Sequence, residues 1–260
     1  MASSALHEVP VDDDAFREPV EEDKEISSAI RLEKLLMKKI CDPAYLPSHY
    51  NLQLAFGTGG FKPGGLGRFC WKNRHEVINR EFVADLAEYF AERIRLYSAS
   101  SKETIRILEV GAGNGQLGYF LQKSLDRIQP RASKITVTDN GSGKISSPLP
   151  IEHVDVEEAL TAHKPTIVLS AWMPYQKDWT QYFRSTPSVM EYLLIGEPAC
   201  CGKTGETWCD NPNERFKGMF LDKVSRYQIC AIDQVYGDNG SFGHQSVTYS
   251  FRRMKNPEQR

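Results

Sequence analysis

No stretch of the 260-residue sequence approaches the roughly 20 consecutive apolar residues that span a bilayer, so membrane insertion is not expected. There is no C-x-x-C pair and no histidine at zinc-finger spacing. The cysteines Cys41, Cys70, Cys200, Cys201, Cys209 and Cys230 are scattered, which predicts reduced thiols, no disulfide framework and no metal site. The absence of G-x-x-x-x-G-K-[ST] removes the common phosphate loop. A formal net charge of −2 supplies no broad basic field for a phosphate backbone, which argues against nucleic acid as a partner. Residues 1–25 are acidic, with neither the basic start and apolar core of a secretory signal nor the Arg-rich make-up of a transit peptide. They are expected to be a disordered tail on a cytoplasmic protein.

What the chain does contain is an alternation of two periods. Ile30, Leu32, Leu35, Leu36 and Ile40 recur at helical spacing after a cap at Ser27 or Ser28. This helix and the Gly-rich stretch "FGTGGFKPGGLGRF" (56–69), a loop and candidate lid, make up an N-terminal cap over 26–78. The segment 79–97 places Phe82, Leu86, Tyr89, Phe90 and Ile94 on one face, as expected of a helix lying on a sheet. Strand-like runs follow at 104–110, 134–139, 151–156, 166–172, 191–197, 227–235 and 246–254, with helix-like runs at 115–128, 156–162, 178–184 and 213–225 between them. This pattern predicts one α/β domain over 79–260, with a seven-stranded, mostly parallel sheet and helices on both faces. Only ten residues separate the last two runs, too few for a parallel crossover, so they are expected to form a C-terminal antiparallel hairpin.

The run "ILEVGAGNGQLGYFL" (107–121) breaks into Gly111, Gly113 and Gly115 where the first strand turns into the next helix. Such a turn lies at the carboxyl edge of a parallel sheet, where ligands bind against free helix N–H groups. Two cofactor classes use this geometry. A dinucleotide fingerprint G-x-G-x-x-G is met from Gly113 to Gly118, but it leaves Glu109 and Gly111 without a role. The spacing E-x-G-x-G-x-G, Glu109 to Gly115, resembles the first motif of the class I S-adenosylmethionine (SAM)-dependent methyltransferases.

The resemblance covers roughly residues 79–254 and implies a Rossmann-like fold. It also implies that Glu109, Gly111, Gly113 and Gly115 hold SAM, that Asp139 accepts hydrogen bonds from the ribose hydroxyls, and that Asp155 with Val156 faces the adenine. Ser170 would lie beside the methionine portion. Read as residues alone, Asp139 and Asp155 are equally capable of capping helices.

In such a sheet the acceptor meets the loops 171–180, 198–213 and 236–245. The loop "SAWMPYQKDW" gathers Trp172, Tyr175 and Trp179, which form either an aromatic substrate wall or a buried loop. Ala171 stands where the similar loop of protein arginine methyltransferases has a glutamate, which argues against that substrate. Glu197 joins Trp172 and Trp179 as a candidate substrate contact. His244, with an ordinary pKa near 6.5, is a candidate base, together with Tyr175 and Asp178. The expected activity is methyl transfer from SAM to a small molecule or a protein side chain. The alternatives are a non-catalytic SAM- or nucleotide-binding regulatory protein and, third, an NAD-dependent oxidoreductase.

Overall fold

A computed structural model describes residues 29–40, 42, 44–57, 70, 75–99, 104–143, 145, 147, 149–210, 215–230 and 246–254. The tail, most of the Gly-rich stretch, Cys41 and His244 lie outside the described residues. The N-terminal part contains α1 (Ala29–Lys39) and α2 (His49–Gly57). The larger unit follows in the order α3 (Arg80–Ser98), β1 (Ile105–Val110), α4 (Gln116–Ile128), β2 (Ser133–Thr138), α5 (Val156–His163), β3 (Ile167–Ala171), α6 (Thr180–Ser185), β4 (Glu191–Gly196), β5 (Phe216–Phe220) and β6 (Val247–Arg253).

Six strands form one sheet in the order β2-β1-β3-β4-β6-β5. The first four run parallel, while β6 is antiparallel to both β4 and β5. Buried side chains alternate between the faces, as the two-residue strand period requires. Ile107, Leu169 and Leu193 face α3 and α4, whereas Leu108, Val168 and Tyr192 face α5 and α6. Asn79 caps α3 by accepting the Phe82 N–H at 2.9 Å, and Phe82, Leu86, Phe90 and Ile94 of that helix are buried on the sheet. A third, smaller core joins α1 and α2 through Leu32, Leu36, Leu52 and Phe56 to Val77 and Ile229.

Three expectations need correction. The run 151–156 forms no strand: only Glu152 bridges Thr138, after which Asp155 starts α5. The segment 213–225 is not a helix but carries β5 and a short helical turn, Asp222–Ser225. Its apolar residues Phe216, Phe220, Leu221 and Val224 have helical spacing, but five residues pair with β6 and tertiary pairing overrides the local period. The run 227–235 forms no strand over its described part, 227–230, where Cys230 makes a single bridge to Glu76. The antiparallel pair therefore uses 216–220 with 247–253, and the described sheet has six strands rather than seven.

The sheet order reverses between β1 and β3, because β2 lies on one side of β1 and β3 on the other. Their carboxyl ends are level, with Val110 in register with both Thr138 and Ser170. A crevice at such a reversal is where an open α/β sheet takes its ligand.

Candidate functional site

A cleft of about 1010 Å³ opens at this reversal. It brings together Glu109, Gly111, Gly113, Asp139, Asp155, Val156, Trp172, Asp178 and Trp179, nine of the residues that the sequence singles out. All three glycines after β1 have positive φ, at 65°, 59° and 71°, so the left-handed turn itself calls for glycine. At Gly111 a second constraint applies, since an added Cβ would lie 2.7 Å from the Trp179 ring. Trp179 thus packs on the glycine turn rather than standing apart from it.

Glu109 is 1% exposed, and its Oε2 has no hydrogen-bond partner among the described residues. Burial pushes its carboxyl up to about 8, with the Gly118 N–H opposing the rise and the charge of Asp139 adding to it. Leaving a buried carboxylate without a countercharge is costly, and this one lines a cleft rather than a sealed core. An added Cβ on Gly118 would approach Glu109 Oε2 to 2.3 Å. Gly118 therefore makes room for the carboxylate.

Asp139 holds the turn from the side of β2. Its Oδ2 accepts the Gly113 N–H at 2.9 Å and its Oδ1 the Gly141 N–H at 2.7 Å. Each oxygen retains a second lone pair for a ligand. Asp155 begins α5 without a side-chain capping bond; instead its Oδ1 accepts Asn140 Nδ2 at 2.9 Å.

The remaining candidates sit differently. Gly115 is buried as the N-cap of α4, and Ser170 is buried within β3, with its hydroxyl unpartnered among the described residues. Neither lines the cleft. Tyr175 is 63% exposed and also lies outside it. Asp178 Oδ1 accepts Thr180 N at 3.0 Å and Thr180 Oγ1 at 2.5 Å, and its Oδ2 lies 3.8 Å from Arg184, so this carboxylate is engaged in holding the loop. Glu197 is buried and accepts the Cys200 thiol at 3.4 Å. Burial raises the Cys201 thiol to about 12 and Cys200 higher still, so both are protonated. No group of three or more metal-ligating side chains is gathered among the described residues.

Sequence reasoning missed Glu76, which lines the same cleft from the N-terminal part of the chain. Its Oε2 accepts Trp172 Nε1 at 2.9 Å and Ser246 Oγ at 2.5 Å, while His75 stacks on the Trp172 ring at 5.2 Å. Trp172 itself has φ 55°, a strained backbone that its Glu76 bond and its N–H to Ile195 O at 2.7 Å help to hold. Burial pushes the Glu76 carboxyl up to about 7 against its hydrogen bonds to Ser246, Trp172 and Gln228. No local signal marks Glu76, because its partners lie about 100 and 170 residues along the chain.

No helix of the described residues is long and apolar enough to cross a membrane. No family model matches the chain, and no curated protein matches it. Several solved structures are similar in fold. The DszA carbon methyltransferase shares 11% identity with 86% of this chain covered, at a TM-score of 0.41. The CMeT domain of the citrinin polyketide synthase shares 16% over 90% of this chain and 68% of its own, at 0.42. The plantazolicin methyltransferase BpumL in complex with SAH shares 10% over 85% and 97%, at 0.35. The chain spans 65% of the length of the solved DszA carbon methyltransferase chain. These likenesses are distant, and the chemistry is read from the chain's own side chains.

Proposed function

We propose that the chain is a SAM-dependent methyltransferase acting on a small molecule or a protein side chain. The observation that carries this reading is the Glu109 carboxyl, whose Oε2 has no hydrogen-bond partner among the described residues, buried beside the left-handed glycine turn in a cleft at the sheet's reversal. A ligand bearing an ammonium group supplies the missing countercharge, and the amino-acid end of SAM bears one. The ligand's other end carries ribose hydroxyls and an adenine amine, which suit the free lone pairs of Asp139 and the exposed carboxylate of Asp155. A pyrophosphate-bearing dinucleotide fits poorly, because the carboxylates of Asp139 and Asp155 would repel its phosphates.

Bound there, SAM supplies an electrophilic methyl group. The protein's part is to hold the cofactor and align the acceptor, whose opening is bordered by Trp172 and Trp179. One observation favours a non-catalytic SAM- or nucleotide-binding regulator instead: Asp178 is tied to Thr180 and Arg184 rather than free for chemistry.

Calorimetric titration with SAM and S-adenosylhomocysteine (SAH) tests the reading. Micromolar binding by the wild type, lost in Asp139→Ala and Gly113→Val, is the expected result. A folded wild type that binds neither ligand refutes it.

A further inference from the structure

We propose that Glu76 takes the proton from the methyl acceptor, and that the acceptor is therefore a neutral nucleophile carrying its own proton on O, N or an acidic carbon. This rests on the SAM reading and adds to it the identity of the proton-accepting group and the acceptor class. Thioethers, tertiary amines and anions need no such group and are excluded as the main substrate.

The geometry comes from three parts of the chain. Glu76 is anchored by its antiparallel bridge to Cys230 and by the Val77 N–H bond to Ile229 O at 2.9 Å. Its side chain reaches the edge of the cleft that Trp172 also lines, on a different chain segment from Glu109, Gly113 and Asp139. The two oxygens are unequal. Oε2 accepts Trp172 Nε1 and Ser246 Oγ, whereas Oε1 accepts, among the described side chains, Gln228 Nε2 alone, at 3.5 Å, the outer limit of a hydrogen bond; the Ile229 N–H also donates to the carboxyl. Oε1 thus retains the capacity to take a proton.

The surroundings suit that task. The groups facing the carboxyl are the Trp172 indole, the Ser246 hydroxyl, the Gln228 amide and the Ile229 backbone, all neutral, and His75 is its chain neighbour. No cation among the described residues holds it permanently ionised, and burial brings its titration to the neutral range, where a general base works best. Ser246 and Gln228 are bonded to each other at 2.8 Å, so the neutral donors form one network that fixes the carboxyl's orientation.

The step balances without any further reagent. The acceptor atom forms a bond to the methyl carbon as the carbon–sulfur bond breaks, its electron pair returning to sulfur to leave SAH. The acceptor's X–H bond gives its proton to Glu76 Oε1, which releases it to water after the product departs.

The test uses the full-length chain saturated with SAH and needs no acceptor at first. Glutamate carboxyls are followed by carbon-13 NMR, and tryptophan fluorescence by pH titration. Expected are a transition near pH 7 that Glu76→Gln erases, SAH affinity in that variant within about threefold of wild type, and carbodiimide modification of Glu76 at about pH 6 with SAH bound. Trp172→Phe, which keeps the carboxyl, should abolish the fluorescence transition and retain the NMR one.

A Glu76 that titrates in the ordinary carboxylate range, or that SAH shields from carbodiimide, overturns the proposal. So does a Glu76→Gln variant that loses SAH binding, since the carboxyl would then serve the cofactor. Turnover with methyl-labelled SAM and the probes 4-methylcatechol, benzylamine and thioanisole gives a second reading. Transfer to the catechol or amine that falls at least about 100-fold in Glu76→Gln supports the assignment. Transfer to thioanisole alone, or equal transfer by the variant, overturns it. If the wild type binds no SAH, the cofactor reading itself fails; if it binds SAH with Glu76 ionised at about pH 5, only this inference fails.

Discussion

Gly118 and Glu109 fit against each other so closely that a Cβ on the glycine would stand 2.3 Å from Glu109 Oε2 and 2.7 Å from Val137 Cγ2. A glycine in the first turn of α4 thus makes room for the carboxylate one residue before the end of β1. The G-x-x-G spacing from Gly115 to Gly118 has this packing explanation, independent of any phosphate.

Gly118→Ala is expected to destabilise the fold despite a helix-propensity gain of about 1 kcal/mol, because overpacking costs roughly 1–3 kcal/mol. Urea unfolding should show the loss, and Glu109→Ala in the same chain should restore part of it. Additive effects of the two changes would refute the contact.

Glu109 makes stability depend on pH in a specific direction. Its folded-state value of about 8 lies above the ordinary 4.5, so the folded state retains a proton that the unfolded state has lost. Stability is therefore highest below 4.5 and falls as pH rises through about 8, with a ceiling of roughly 5 kcal/mol at about 1.36 kcal/mol per pH unit. Glu109→Gln should flatten the upper part of that fall, and thermal melts across the range measure it. An ammonium-bearing ligand reverses the preference. SAH binding near neutral pH should release a proton in the wild type, and Glu109→Gln should lose that share of the release, as calorimetry in buffers of different ionisation enthalpy would show.

Gly111→Ala meets two obstacles, the left-handed φ of 65° and the Trp179 ring at 2.7 Å. The backbone part costs about 1–2 kcal/mol. The ring part should vanish in Gly111→Ala with Trp179→Leu, so the double variant should recover some SAH affinity over the single one. Calorimetry decides, and no recovery would mean that the backbone alone sets the requirement.

Arg93 and Glu191 tie α3 to β4 away from the cleft. The Glu191 carboxylate is fully buried and accepts Arg93 Nε at 2.6 Å, Tyr97 OH at 2.7 Å, Ser250 Oγ at 2.6 Å and the Tyr89 hydroxyl. Removing Arg93 leaves the buried carboxylate with Arg252, 3.7 Å away, as its remaining countercharge among the described residues, so Arg93→Ala should cost up to about 3–5 kcal/mol. Denaturant titration would show it, with SAH affinity of the remaining folded protein unchanged.

The glycine-turn side of the cleft was legible in the sequence because its signals are local. A strand, three glycines and a helix occupy consecutive residues from Ile105 to Ile128, and Asp139 directly follows the next strand. The opposite side was not, because Glu76 acquires its meaning only from Trp172 and Ser246. The same limit explains β5, whose Phe216 and Phe220 read as one helical face until β6 supplies a partner. It also explains Asp178, whose sequence position in an aromatic loop gave no sign that Arg184 and Thr180 engage it.

The placement of β6 between β4 and β5 sets the timetable of folding. Residues 247–253 emerge from the ribosome after the other five described strands, yet they fill an interior place in the sheet. Until then β4 lacks one neighbour, β5 has none, and Ser246 cannot reach Glu76. A nascent chain can assemble the glycine turn and its parallel strands early, but it gains the opposite wall of the cleft only when these distant segments meet, a closure of high contact order. A ribosome stalled before residue 246 should therefore carry half a cleft, with one edge of β4 bare and open to the wrong strand.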